Sequence, residues 1–299
     1  MHEQDPKPKG MLSPDFLGKL ERLALVSKRV QLGASKGERR SKRKGMGIEF
    51  ADYRDYVQGD ELRHVDWNLF ARLDALYLRL FEDQEDLTLH LLIDASASMG
   101  FGTPSKLEFA CTLAAAIGYI ALVGYDRVTV EAFSGSQQRV LPPIRGKSSA
   151  RKLFAFLESV EAGGPTRLER ACHAHLANNR FAGMYILISD FFDQDGFDGC
   201  IRKLAGSRSD VHAVHVLAPE EINPDVSGDL KLIDSETGKA VEVSINRALL
   251  KRYHTDRELF CESIRKYCAA RGIGYLMTGS DAPIEKITLE ALRKGGLIR

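Results

Sequence analysis

Residues 87–100 read LTLHLLIDASASMG, and this stretch decides the fold. Its first seven residues are mostly apolar, which is typical of a strand buried on both faces. A carboxylate, Asp94, and two hydroxyls, Ser96 and Ser98, follow at alternate positions. Sheets of parallel strands place their ligand sites at the carboxyl ends of the strands. The stretch therefore predicts a central parallel strand that ends in an oxygen-rich loop.

Beyond this strand, apolar runs alternate with amphipathic stretches, which is typical of βα units and a largely parallel sheet. We predict an α/β fold with a mostly parallel sheet flanked by helices and preceded by an N-terminal extension. A first helix is expected to begin after the N-cap Ser13 and to run to about Val30. The other predicted elements are strands at 87–93, 127–133, 138–141, 184–189, 211–217 and 274–278, helices at 106–123, 148–161, 168–179, 197–205 and 247–271, and a hairpin over 231–243.

Composition limits the class of protein. The chain has 299 residues, 44% of them apolar and 28% charged, which suits one or two globular domains and excludes fibrous and disordered proteins. Five cysteines without a CxxC pair, in a chain long enough to build a core without disulfides, favour a reducing compartment. We found no apolar leader and no apolar run of 18 residues, so we expect a cytoplasmic protein without a membrane span.

The near-neutral net charge of +1 conceals a basic N-terminal part. Residues 1–47 carry an excess of +7, concentrated in the run 36–44, and the remainder carries −6. A solvated loop is the default interpretation of such a run. Binding of an anion or a nucleic acid is the alternative, but no aromatic side chains are interleaved with the basic ones, so nucleic acid is not the expected partner.

Two further oxygen-bearing side chains occur where strands and loops end. Thr166 closes the loop 163–166 before a predicted helix, and Asp190 directly follows the strand 184–189. Mg²⁺ and Mn²⁺ prefer oxygen ligands. We therefore predict that one such ion is surrounded by Asp94, Ser96, Ser98, Thr166 and Asp190.

This ordered set resembles the metal-ion-dependent adhesion site of the von Willebrand factor A domain, which has a DxSxS strand end, a later Thr and a later Asp. The resemblance implies a Rossmann-like fold over about residues 86–280. It also implies that the two Ser and the Thr bind the metal, that the two Asp act directly or through water, and that one coordination position stays open for a partner's carboxylate. The alternative is that the hydroxyls only cap helices and turns.

The preceding segment carries ordered charged and aromatic motifs, namely GMGIEF at 45–50, YRDY at 53–56, GD at 59–60, RHVDW at 63–67 and AR at 71–72. They resemble the signature of the domain-of-unknown-function 58 family, DUF58, from about Leu17 onward. That resemblance implies an A-like domain that works with a MoxR-type AAA+ ATPase. The expected organisation is a basic leader with a short helix and loop at 1–47, a signature segment at 48–85, the A-like domain at 86–280 and a C-terminal tail at 281–299.

Charges of both signs and large aromatic side chains lie close together in the signature segment, as in a partner-docking surface. The interpretation that we favour is an ion-pair network that fixes the segment against the A-like domain, with Trp67 packed as an anchor. The residues assigned to partner binding are Arg54, Asp60, Arg63, Asp66, Trp67 and Arg72.

These features predict a non-catalytic, divalent-metal-dependent protein-binding module. By resemblance it is an adaptor or co-chaperone that acts with a MoxR-type ATPase or the client of that ATPase. The enzyme alternative is a Mg²⁺-dependent phosphatase with Asp94 as nucleophile and a second acid for Mg²⁺ supplied by the segment 189–193. That chemistry needs a carboxylate two residues after the nucleophile, where this chain has Ser96.

Overall fold

The structure is a computed structural model that describes residues 10–26, 49–57, 60, 62, 65–82, 87–135, 137–179, 183–207, 209–236, 238–294 and 296–298. The chain divides into two compact units, one formed by Met1–Arg29 with Leu87–Arg299 and the other by Val30–Asp86. The basic run 36–44 and Arg63 lie outside the described residues.

Helices and strands alternate along most of the larger unit. In chain order the elements are α1 (Pro14–Leu20), β1 (Glu49–Asp55), α2 (Trp67–Leu73), β2 (Tyr77–Glu82), β3 (Thr88–Asp94), a 3-10 turn (Ala97–Gly100), α3 (Lys106–Val123), β4 (Arg127–Ser134), β5 (Gln137–Arg145), a 3-10 turn (Lys147–Ser149), α4 (Ala150–Glu158), α5 (Leu168–Asn178), β6 (Met184–Ser189), α6 (Asp198–Gly206), β7 (Asp210–Leu217), α7 (Pro219–Ile222), β8 (Gly228–Ile233), β9 (Ala240–Ile245), α8 (Arg247–Ala269), β10 (Gly274–Gly279), α9 (Ile284–Lys286), a π-helical turn (Ile287–Ala291) and α10 (Leu292–Lys294).

A six-stranded sheet in the order β10-β7-β6-β3-β4-β5 forms the centre of the larger unit. All neighbouring strands are parallel except β4 and β5, which are antiparallel. The order reverses between β3 and β6, as in doubly wound α/β sheets. The predicted α/β fold, with a mostly parallel sheet flanked by helices, is confirmed.

Both faces of the sheet are buried, which explains why the strand sequences contain long apolar runs. Successive strand residues point to opposite faces. Leu91 of β3 belongs to the core cluster formed with α3 and α4, and Leu92 belongs to the cluster formed with α5, α6 and α8. Every residue of β3 is buried. The strand is therefore held from both sides, and its carboxyl end is fixed in place.

Helix α3 is the central helix of the first core cluster and has the predicted bounds. Its N-cap, Ser105, accepts a hydrogen bond from the N–H of Glu108 at 3.1 Å. A Cβ atom at Gly118 would lie 2.7 Å from Cδ2 of Leu153, so this glycine allows α4 to approach closely. Among the described residues, α3 is also the one helix long and apolar enough to cross a membrane, with a mean hydropathy of 1.6, and 83% of it is buried. The expectation that the chain has no apolar run of this length is wrong for α3, and the burial of the helix explains its composition.

Helix α1 ends at Leu20, and the prediction that it runs to Val30 is wrong. The described chain beyond it turns into extended backbone because it pairs with the C-terminal segment. Leu25 forms an isolated antiparallel bridge with Ile298, and the N–H of Val26 donates to the carbonyl of Leu297 at 2.9 Å.

The C-terminal segment contributes to the core of the larger unit. Leu297 is 1% exposed and joins the same apolar cluster as Phe16 of α1. We expect Leu297→Ala to lower the free energy of unfolding by about 2–5 kcal/mol, because it removes buried carbon atoms and leaves a cavity. Urea denaturation measures this loss. Leu232→Ala, at a 50% exposed position, is the control, and equal losses in the two variants would contradict the packing described here.

A disulfide joins two helices on one face of the sheet. It links Cys172 of α5 and Cys200 of α6 and was not predicted from the sequence.

The hairpin expected over 231–243 is present after β7, as the antiparallel pair β8 and β9.

Candidate metal centre

The predicted carboxylates lie where the strand order of the sheet reverses. Asp94 is the last residue of β3, and Asp190 directly follows the neighbouring parallel strand β6. Ile93 and Ile188 are opposite each other in the register of these strands. Both carboxylates are fully buried. The carboxyl ends of the two strands thus bring two acids to one edge of the sheet, as the sequence predicted.

The two serine hydroxyls converge next to Asp94. The N–H of Ser96 donates to Oδ1 of Asp94 at 3.0 Å, which turns the chain sharply after the strand. The Oγ atoms of Ser96 and Ser98 are 3.1 Å apart. Adjacent oxygen ligands of octahedral Mg²⁺ are separated by about 2.9 Å, given Mg–O bonds of about 2.0–2.1 Å. The spacing of these hydroxyls therefore suits neighbouring positions around such an ion.

Backbone hydrogen bonds hold the Thr166 loop against the Asp94 loop. The N–H of Gly163 donates to the carbonyl of Ala95, and the N–H of Ala97 donates to the carbonyl of Gly164, both at 2.8 Å. Gly164 has a φ of 71°, which favours glycine. Thr166, three residues after Gly163, is 3% exposed. Its hydroxyl donates to Oε1 of Glu236 in the β8–β9 turn at 2.5 Å.

The charge of Asp94 is unfavourable in this setting. Burial, and next the charge of Asp190, raise the pKa of Asp94 to about 7. The carboxylate is partly compensated by the hydroxyl of Ser189, which donates to its Oδ2 at 2.6 Å. Ser189 was not predicted as a site residue, although its place at the end of β6 beside β3 is a detectable signal.

A buried ammonium group, also not predicted, accompanies Asp190. Nζ of Lys106 lies 2.7 Å from Oδ2 of Asp190 and 2.6 Å from Oε1 of Glu221. Although burial lowers the pKa of Lys106, the two carboxylates raise it above its ordinary value. Lysine is almost never fully buried unless it is paired. A lysine at the first position of so apolar a helix as α3 was the available signal.

The charges and donors together fit a small divalent cation. Lys106 is shared between Asp190 and Glu221, and within the part of the chain that the structure describes no ion pair is found for Asp94, in an environment where unpaired charge is costly. Across the described ranges, no three His, Cys, Asp or Glu side chains gather into a metal-binding group. A metal here would therefore depend on the hydroxyls of Ser96, Ser98 and Thr166 as well as on a carboxylate, which is an oxygen-only set that suits Mg²⁺ or Mn²⁺.

Asp193 has a structural role. Its Oδ2 accepts the N–H of Leu168 at 2.7 Å, at the start of α5, and its Oδ1 accepts the N–H of Asp195 at 2.9 Å. Both carboxylate oxygens are thus used by the backbone. Asp193 therefore serves the backbone at the start of α5.

In the smaller unit, some of the residues predicted to bind a partner make contacts within the unit, and others are exposed. Arg54 pairs with Asp60 at 2.9 Å, and Asp66 caps α2 by accepting the N–H of Asn68 at 3.0 Å. These contacts stabilise the unit itself. Trp67 is 56% exposed, so the expectation that it packs as an anchor is wrong. Arg72, on the same helix, is exposed as well.

Comparison with known families and proteins gives the following matches. Residues 52–259 match the family described as "Protein of unknown function DUF58". An uncharacterized protein, Rv1480, from Mycobacterium tuberculosis strain H37Rv is 31% identical over 242 residues, which is 79% of this chain and 76% of that protein. An uncharacterized protein of Mycobacterium bovis, Mb1516, matches to the same extent.

Similar solved structures are more distant. BatB, a conserved hypothetical protein from Bacteroides thetaiotaomicron, is 17% identical, with a TM-score of 0.43, over 70% of this chain and 98% of that chain. An aerotolerance-related membrane protein from Bacteroides fragilis is 16% identical, with a TM-score of 0.43 and the same two coverages.

Proposed function

The chain belongs to the DUF58 family of proteins of unknown function, and from the geometry of its candidate centre we propose that it is a non-catalytic, divalent-metal-dependent protein-binding module. The observation that supports the proposal is the position of Asp94 and Asp190 at neighbouring strand ends, where the strand order reverses, with the hydroxyls of Ser96 and Ser98 3.1 Å apart beside Asp94. The loop of Thr166 is joined to the Asp94 loop by backbone hydrogen bonds. Bound Mg²⁺ or Mn²⁺ supplies a Lewis-acidic position that attracts a carboxylate of a partner protein.

The residues of this chain divide the work at the centre. Asp94 and the hydroxyls of Ser96, Ser98 and Thr166 would hold the ion. Asp190 would supply the second carboxylate beside the ion. Nζ of Lys106 lies 2.7 Å from Oδ2 of Asp190 and orients this carboxylate. Hydrogen bonds to the groups that bind a metal position these groups and tune their affinity for it.

A binding role suits these residues better than catalysis does. Position 96 is a serine, which titrates far above neutral pH and is a poor general acid or base. Asp193 is occupied by the backbone at the start of α5. Mg²⁺-dependent hydrolysis of p-nitrophenyl phosphate that disappears in Asp94→Asn would contradict the non-catalytic assignment.

The partner we propose is a MoxR-type AAA+ ATPase or its client, which would present an acidic side chain to the metal. In the smaller unit, the exposed side chains of Trp67 and Arg72 offer a second contact with such a partner. Exposed tryptophan and arginine are the residue types that contribute most to protein interfaces.

We expect a purified MoxR-type ATPase from the same genome to be retained by the immobilised chain in Mg²⁺ and released by EDTA. Retention is expected to fall at least about tenfold for Trp67→Ala, a loss of about 1.4 kcal/mol. Leu73→Ala, at a position that is 58% exposed on the same helix, is the control. Retention that EDTA does not change would contradict metal-mediated docking.

A further inference from the structure

The two edge strands of the central sheet differ in their sequences. β5 contains Pro142 and Pro143, carries the charged Arg139 and pairs with β4 through an irregular register. Prolines, charges and bulges are devices that stop an edge strand from pairing with another chain. β10, which reads GYLMTG over Gly274–Gly279, has no proline and no charged residue. β10 is therefore the edge whose sequence allows a further strand to pair with it.

The outer side of β10 is open to such a strand. β10 pairs with β7 on one side, and within the described ranges no strand lies on the other. Met277 is 44% exposed and Tyr275 is half-buried, whereas residues 213–217 of β7 are all buried. A groove of about 430 Å³ is lined by residues of α8 and by Tyr275 and Met277. β10 thus presents its outer backbone N–H and C=O groups at an accessible edge.

The sequence of β10 is complementary to itself in antiparallel pairing. With Leu276 on a two-fold axis, Tyr275 stands opposite Met277 of a second copy, and Gly274 stands opposite Thr278. Residues directly opposite each other in an antiparallel pair contact across the strands. An aromatic ring and a thioether attract each other in such a contact, and no like charges meet. A second copy of the chain therefore supplies a strand that suits this edge.

The two ends of the groove carry different parts of α8. Arg257 donates to the carbonyl of Ile222, and Cδ1 of Ile222 lies 3.4 Å from the place of a Cβ atom at Gly279. This part of the helix is therefore at the carboxyl end of β10. The charge of Arg265 acts on the hydroxyl of Tyr275, which lowers the pKa of a phenol that burial raises above its ordinary value. Arg265 is therefore near the amino end of β10.

Antiparallel pairing exchanges these two ends, so that Arg265 of one copy comes beside Glu258 of the other, and the contact occurs twice. Both side chains are exposed, 57% for Arg265 and 74% for Glu258. Within one copy, Arg265 pairs with Glu262, and Glu258 has only a long contact of 3.8 Å with Arg257. Complementary charges at the rim of an interface favour one partner and one orientation. The occupant that this arrangement favours is a second copy in antiparallel orientation.

We propose that two copies of the chain form a symmetric dimer by antiparallel pairing of their β10 strands, with the α8 helices on the same side of the joint sheet. A two-fold interface uses the same surface of both copies, as this pairing does. Because the second copy is reversed, the carboxyl ends of its parallel strands lie at the opposite edge of the joint sheet. The two candidate centres consequently face opposite directions, and one dimer can hold two partner molecules. The dimer itself does not depend on metal binding.

Sedimentation velocity of the full chain over a range of concentrations tests the dimer. We expect a reversible dimer in the wild type and a dissociation constant at least about tenfold higher in Met277→Lys, since a lysine on an edge strand opposes pairing. Val140→Lys, at a 51% exposed position of the other edge strand, is the control and is expected to dimerise like the wild type. Circular dichroism checks that both variants are folded.

Exchange of charges on α8 tests the same pairing without any change in β10. Arg265→Glu and Glu258→Arg are each expected to weaken the dimer, because each sets like charges against each other across the axis. The double variant reverses both charges and is expected to restore the wild-type dissociation constant. A double variant that dimerises no better than the single variants would contradict the antiparallel orientation.

Hydrogen exchange identifies the surface that pairs. The backbone amides of 274–279 are expected to exchange more slowly at concentrations where the dimer forms. A wild type that stays monomeric, or a dimer that Met277→Lys leaves intact, would overturn the proposal. Protection of these amides only when the proposed ATPase is added would also overturn it, and would identify a strand of that partner as the occupant.

Discussion

Replacing Asp94 by asparagine is expected to abolish Mg²⁺ binding while leaving the metal-free protein at least as stable as the wild type. The ionised form of Asp94 is disfavoured by burial and by Asp190, as its raised pKa of about 7 indicates, so removing the charge relieves a repulsion. The remaining side-chain oxygen can still accept the N–H of Ser96. Calorimetric titration should show that affinity for Mg²⁺ falls at least about 100-fold.

Thermal unfolding gives a second measurement of the same substitution. An ion that binds only the folded state raises the midpoint of unfolding. We expect Mg²⁺ to raise it in the wild type and in the control Asp225→Asn, an exposed acid, and to leave it unchanged in Asp94→Asn. Equal heats of Mg²⁺ binding in Asp94→Asn and the wild type would rule out the metal centre.

Replacing Lys106 by methionine is expected to produce the largest loss of stability. The substitution leaves the carboxylates of Asp190 and Glu221 without the ammonium group that both contact. Removing one partner of a buried ion pair costs about 3–5 kcal/mol, because the remaining charge stays buried without compensation. Urea denaturation in EDTA measures this loss, and saturating Mg²⁺ is expected to restore part of it.

Two further variants show whether the loss comes from uncompensated charge. Adding Glu221→Gln to Lys106→Met removes one of the two unpaired acids and should recover part of the stability. Lys147→Met removes an exposed lysine that pairs with Glu21, and its effect should be much smaller, since solvent screens surface pairs. If Lys106→Met lowers the free energy of unfolding no more than Lys147→Met does, the contacts of Lys106 with Asp190 and Glu221 do not stabilise the fold.

The fold was predictable where local signals and burial agree. Helix α3 and strand β6 have the predicted bounds, because an N-cap marks the start of α3 and because β6 is an apolar run buried on both faces. Strand β5 was predicted too short, since Pro142 and Pro143 are residues that commonly end a strand. An edge strand tolerates proline on its unpaired side.

The features that were not predicted depend on contacts between residues far apart in the sequence. Helix α1 ends early because Leu25 pairs with Ile298, which no local pattern indicates. In the candidate centre, the rule that strand ends carry ligands identified Asp94 and Asp190. It missed Lys106, which is separated from Asp190 by 84 residues, and Glu236, which is separated from Thr166 by 70. Acids in exposed hairpin turns are common, so Glu236 carries no signal in the sequence.

The close approach at Gly118 belongs to the same helix that carries the buried ammonium group of Lys106. Because Leu153 fills the space where a side chain at position 118 would stand, α3 and α4 pack closely, and the helix that begins at Lys106 is part of this dense packing. The buried ammonium group is thus built on a densely packed helix, whereas the loop bearing Thr166 is joined to the Asp94 loop by backbone hydrogen bonds.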